Sequence, residues 1–157
     1  MRKSITLIES IHISADANKI FSFISDLNND PKWRPEVESM TMEGESKVGI
    51  IATELITVYK FFHFITPVQI MELESPKTFV AETPSTHKTW VKVMRSLKPL
   101  ENGEIEFTVN LSFSLDNMKQ ITPITPPIGI VRAWYKPRMK RYLKTLKRLM
   151  ETGEILN

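Results

Sequence analysis

At 157 residues, with 41% hydrophobic and 25% charged residues, the chain has the size and composition of a single globular domain spanning 1–157, able to bury a core without staples. It has no cysteine, which excludes a disulfide framework, a thiol nucleophile and cysteine metal ligation. The net charge of +3 is unevenly placed: residues 117–150 hold nine bases and no acid, leaving twelve bases against eighteen acids elsewhere.

The opening MRKSITLIESIHIS is interrupted by Glu9 and His12, so it predicts no signal peptide. No apolar run approaches the ~18 residues of a membrane span. The expected address is cytoplasmic. Residues 5–13 read as a strand, with Ile5, Leu7, Ile11 and Ile13 on one face and His12 on the other. Ser14 or Asp16 can cap a short helix in which Ile20, Phe23, Ile24 and Leu27 repeat at helical spacing, and Asn28, Asn29, Asp30 and Pro31 end it. A second short helical piece around Lys32 and Trp33 stops at Pro35.

Strands are expected at Val37–Met42, 48–59, 68–73, Thr78–Glu82 and 86–98, separated by a turn over 43–47 and by Pro76, Pro84 and Pro99. Phe61, Phe62, His63 and Phe64 fall at or beside a hairpin turn, either as hairpin packing or as an apolar lip on a pocket. The clearest strand is 105–115. Ile105, Phe107, Val109, Leu111, Phe113 and Leu115 alternate with polar residues, the pattern of an antiparallel sheet with one wet side. A loop with Pro123, Pro126 and Pro127 precedes a helix over 129–151. Its Val131, Tyr135, Met139, Tyr142, Leu146 and Leu149 draw one stripe, widened by Trp134, Leu143 and Met150. Pro137 lies inside it and is expected to kink it against the carbonyl of Ala133. These elements make an α+β chain in which a broad apolar helix lies on a sheet.

Most catalytic patterns are missing. Gly44 to Gly49 is one residue too long for a nucleophile elbow, and no glycine-rich phosphate loop exists. His12, His63 and His87 are dispersed, so no metal site is expected. Arg95 is the ionisable group of interest. One row of its strand holds His87, Thr89, Val91, Val93, Arg95 and Leu97; the other holds Trp90 and Met94 among three lysines. The first row is read as inward, placing a cation among apolar residues where it requires an anionic partner or ligand. The rival reading turns Trp90 and Met94 inward, or lets Arg95 reach the rim.

Other residues point to a family. The segment IHISADANKIFSFISDLNNDPKWRPEV contains Ile13, Ala15, Ile20 with Phe21, Asp26, Trp33 and Pro35; later come Val48 with Gly49, then Ile70, Glu72, Glu74 and Pro76, and the ending LKTLKRLMETGE. In this order they resemble the START-like (SRPBCC) superfamily, particularly its polyketide cyclase/dehydrase branch, over nearly the whole chain. The resemblance implies a helix-grip fold: a curved antiparallel β-sheet wrapped around a long C-terminal helix, with two short helices after the first strand. It also implies a cavity between sheet and helix for a hydrophobic small molecule such as a lipid, polyketide or aromatic metabolite. Trp33, Ile51, Val93, Arg95, Phe107, Val109, Leu111, Trp134, Tyr135, Met139 and Tyr142 are then the candidate ligand-binding residues.

No catalytic residue, metal or cofactor is assigned. The leading reading is a binding protein; the alternative is a cofactor-independent cyclase, aromatase or dehydratase. The basic helix is either a solvated back or a surface for peripheral contact with an anionic membrane or a partner. Nucleic acid is not expected, because the bases surround the helix without an aromatic stacking platform. Monomer and homodimer both fit.

Overall fold

The computed structural model describes residues 3–58, 60–120 and 122–153. Strand β1 (Ser4–Ile13) is followed by helix α1 (Ala17–Ser25), a 3-10 turn at Leu27–Asn29 and the one-turn helix α2 (Asp30–Trp33). Strands β2 (Val37–Met42), β3 (Ile51–Val58), β4 (Phe62–Glu74), β5 (Thr78–Glu82), β6 (Val91–Pro99) and β7 (Ile105–Ser114) then run as a meander. A 3-10 segment at Leu115–Gln120 leads to helix α3 (Ile128–Thr152).

The seven strands form one sheet of order β1-β7-β6-β5-β4-β3-β2, antiparallel at every pairing. Each strand from β2 to β7 pairs with its sequence neighbour, and β1 closes the far edge against β7. The β1–β7 register sets Ile5 opposite Phe113, Leu7 opposite Leu111 and Ile13 opposite Ile105, all buried on the inner face. The outer face of the same pair is polar and hydrogen-bonded, with Thr6 to Ser112 and Ser10 to Thr108 both at 2.8 Å. Register shifts between Val37 and Ser39 and between Ile70 and Glu72 add local twist. The sheet curves around α3, giving the expected helix-grip architecture.

Helix α3 buries Val131, Met139, Tyr142, Leu143, Leu146, Leu149 and Met150, the predicted stripe apart from the half-buried Trp134 and Tyr135. Pro137 is accommodated within a continuous helix. The end of α3 is tied down by side chains. Glu151 accepts from the Ser14 backbone N–H at 2.9 Å and from Lys147 at 2.7 Å, and Lys19 donates to the Met150 carbonyl at 2.9 Å. Gly153 then takes φ +68°, the left-handed conformation that ends a helix at little cost without a side chain. Asp16, not Ser14, caps α1, accepting from the N–H groups of Asn18 and Lys19.

Several boundaries differ from expectation. Asp30 and Pro31 open α2 instead of only ending α1, since proline is well tolerated in a first turn. Strand β4 begins at Phe62, so Phe62, His63 and Phe64 belong to a strand. Strand β3 begins at Ile51, after Gly49 at φ +94° breaks the extended run; its predicted last residue, Tyr59, lies outside the described residues. Residues 86–90 are turn, and β6 begins only at Val91. No helix among the described residues is long and apolar enough to cross a membrane.

Candidate functional site

Two adjoining cavities lie between the sheet and α3. The outer, of about 220 Å³, is bordered by Ile56, Val58 and Phe64 of the β3–β4 hairpin, by Leu111 and Phe113 of β7, and by Trp134 and Tyr135 of α3. The inner, of about 40 Å³, lies deeper, beside Leu27, Trp33, Val93, Val109 and Tyr142. Arg34, Glu54, Val91 and Leu111 border both. The walls are mostly apolar, with a few polar groups converging at the junction, which is the usual composition of a small-molecule site.

The junction holds a buried ionic cluster. Asp30, fully buried at the start of α2, accepts from Arg95 Nη1 at 3.0 Å and Nη2 at 2.5 Å. Arg95 Nη1 also donates to the Ile24 carbonyl at 2.6 Å, and its guanidinium lies between the rings of Trp33 and Phe79. Arg34 donates from Nη1 to Asp30 Oδ2 at 3.0 Å and to Glu54 Oε1 at 2.8 Å, and its Nε reaches Glu36 at 3.4 Å. Two guanidiniums and three carboxylates thus interlock where the dielectric is low. Such a cluster persists only because each charge meets its opposite with charge-assisted hydrogen bonds.

The cluster shapes the protonation of its neighbours. Burial alone would lower the Arg34 pKa, but Glu54, Glu36 and Asp30 outweigh it and hold the guanidinium well above its ordinary value. Burial raises the Glu54 carboxyl above its ordinary range, against the opposing pull of Arg34. Burial likewise raises the phenols of Tyr135 and Tyr142, with Glu36 adding to both shifts and Arg34 opposing them; both remain protonated.

The predicted residues separate into three groups. Leu111, Trp134 and Tyr135 border the outer cavity, and Trp33, Val93, Arg95, Val109, Leu111 and Tyr142 border the inner one. Phe107 and Met139 are fully buried core side chains on neither wall, Phe107 meeting Trp33 edge-on at 6.1 Å. Ile51 also lines neither, and is 50% exposed. The inward row of β3 is Ala52, Glu54, Ile56 and Val58, so the alternation turns Ile51 to the outer face. Arg95 does face inward, and Trp90 instead donates its Nε1–H to Glu82 at 2.8 Å. The anion that Arg95 requires is Asp30, not a ligand.

Sequence reasoning passed over Arg34, Glu36 and Glu54. The available signal was Glu54 itself, one carboxylate in the otherwise apolar row Ala52, Ile56, Val58. Asp30 and Glu36 lie four and two residues from Arg34, but nothing local points to its third partner, Glu54 of β3. Among the described residues no group of His, Asp or Glu is arranged to hold a metal ion.

Residues 4–151 match the model of the family described as polyketide cyclase / dehydrase and lipid transport. No curated protein matches the chain. Among solved structures, a START superfamily protein from Mycobacterium smegmatis is similar with a TM-score of 0.74 at 14% identity, over 94% of this chain and 98% of that one. A protein from Deinococcus radiodurans gives 0.71 at 12% identity, over 95% and 98%. The di-domain ARO/CYC StfQ of the steffimycin biosynthetic pathway gives 0.74 at 11% identity, over 96% of this chain and 51% of that one. At these identities the likeness is one of fold.

Proposed function

The chain belongs to the polyketide cyclase / dehydrase and lipid transport family, and from that premise we propose that it binds one apolar or amphipathic small molecule between sheet and α3. The observation that carries this reading is the outer cavity, where Val58, Phe64, Leu111, Phe113 and Trp134 surround about 220 Å³. An apolar cavity of about 150 Å³ holds one benzene ring. The space therefore favours a compact ligand, such as a lipid fragment, polyketide unit or aromatic metabolite of one or two fused rings. Native mass spectrometry of freshly purified protein, followed by solvent extraction, tests it. A discrete apolar mass is expected; a clean mass that also ignores small aromatic probes overturns it.

A cofactor-independent cyclase or dehydratase is the second reading, favoured by one observation. Glu54 borders the cavity, and burial raises its carboxyl pKa, the direction in which a general acid–base carboxyl is tuned. Turnover of a poly-β-keto thioester mimic, lost in Glu54→Gln, would separate enzyme from carrier.

Membrane contact at the cavity mouth belongs to the same proposal. The hairpin that borders the outer cavity exposes Phe61, Phe62 and Ile65, and the start of α3 exposes Ile128 and Ile130. Arg132, Lys140, Arg141, Lys144 and Arg148 are exposed along α3. Apolar side chains beside a basic helix suit the surface of an anionic bilayer. We take the protein to act in the cytoplasm.

A further inference from the structure

Among the described residues two cations border the outer cavity, and they differ in what surrounds them. Arg34 is enclosed by Asp30, Glu36 and Glu54. Arg138, half-buried on α3, has no carboxylate within ion-pair distance among the described residues. Its guanidinium is nevertheless held in place. It lies on the Trp134 ring, 3.7 Å from the centroid, and its Nη1 donates to the Trp134 carbonyl at 2.7 Å. Nε and Nη2 make no hydrogen bond among the described residues, and neither is sealed inside the protein. Those two nitrogens form one edge of the planar fork, an edge that a carboxylate meets with two parallel hydrogen bonds. A side chain already ordered by stacking loses little freedom when it takes such a partner.

The charges deeper in the protein set which way a ligand lies. Around the inner cavity the guanidiniums of Arg34 and Arg95 are matched by Asp30, Glu36 and Glu54, so an anion at that end would find no cation to spare. Trp134, Arg138 and Tyr142 follow one another at four-residue steps along α3; the first two border the outer cavity and the third the inner one. Charge therefore belongs beside Arg138, and apolar substance further in. Building on the outer cavity as a ligand site, we propose that the ligand is an organic acid whose carboxylate pairs with the Nε–Nη2 edge of Arg138, its apolar body lying against Phe64, Leu111 and Phe113. One unmatched guanidinium balances one negative charge, which suits a carboxylate over a doubly charged phosphate.

Fluorescence titrations with 2-naphthoate, 2-naphthamide and naphthalene at neutral pH test this in the wild type, Arg138→Gln and Arg138→Lys. Lys144→Gln, on the exposed back of α3, controls for the general charge of the helix. The amide has nearly the shape of the acid without its charge. The wild type is expected to hold naphthoate about tenfold more tightly than naphthamide, the worth of a partly buried charge-assisted pair. Arg138→Gln should abolish that preference, Arg138→Lys should keep only part of it, and Lys144→Gln should leave it unchanged. Naphthalene affinity reports in each variant whether the cavity is intact. A wild type that binds acid and amide alike, or prefers the amide, overturns the carboxylate while leaving the cavity reading in place. So does a preference that survives Arg138→Gln, or one lost equally in Lys144→Gln. Failure of every probe, naphthalene included, removes the cavity reading and the proposal together.

Discussion

The guanidinium of Arg95, on β6, grips the carboxylate of Asp30, at the start of α2, through two N–H···O bonds of 3.0 and 2.5 Å. This pair fastens the two short helices to the middle of the sheet. It is also sealed: Arg95 is 1% exposed and Asp30 is fully buried. Its energetic role is therefore structural, and it forms the floor beneath the cavities.

Removing one member leaves the other charged and buried. Arg95→Met or Asp30→Leu alone is expected to cost about 3–5 kcal/mol, whereas the double substitution should cost far less than the sum, because no charge is stranded. Urea denaturation of the three variants measures this. Additive losses would mean that the pair is not the energetic unit the geometry makes it.

Glu54 provides a pH signature. A carboxyl whose pKa is higher in the folded state than its unfolded value near 4.5 binds more protons when folded, so it lowers stability as pH rises between the two values. The stability of the wild type relative to Glu54→Gln is expected to fall as pH rises above 4.5 and to level off above the folded pKa. Thermal unfolding of both proteins across this range checks it. A relative stability that rises with pH would show that Arg34 outweighs burial.

Leu111 borders both cavities, so filling its position blocks them together. Leu111→Trp should abolish binding of 2-naphthoate and of any co-purifying apolar mass. Overpacking should cost about 1–3 kcal/mol, leaving a folded protein by circular dichroism. Undiminished binding in a folded variant would place the ligand away from β7.

For membrane contact, sedimentation with vesicles containing anionic lipid at low salt is the measurement. Wild-type protein should pellet, more salt should release it, and Phe61→Asp with Ile130→Asp should stay in the supernatant. Equal pelleting of the double variant would exclude the cavity mouth as the contact surface.

The inner faces of β1 and β7 and the stripe of α3 were legible in the sequence because burial on one side imposes a period of two on a strand and about 3.6 on a helix. For Arg95 the three lysines of the opposite row favoured the inward face, but Trp90 and Met94 in that row left the choice open until the structure settled it. Strand starts were less legible. Gly49 and the 86–90 turn interrupt runs whose side chains still suit a strand, and Ile51 was assigned to the cavity although the alternation of β3 turns it outward.

By itself the sequence determined the order of elements, their buried faces and the family, because these depend on local periodicity and on motifs contiguous in the chain. Only the tertiary structure decided what Arg95 is paired with, that Arg34 bridges Asp30 to Glu54, and that Trp33 lies buried beside a cavity with no acceptor for its N–H among the described residues. Asp30 lies 65 residues from Arg95, and Glu54 lies 20 from Arg34, so neither pairing leaves a local trace. The cavity is the space left where two apolar surfaces fail to meet. Its volume depends on the curvature of the sheet against α3, which no single element encodes.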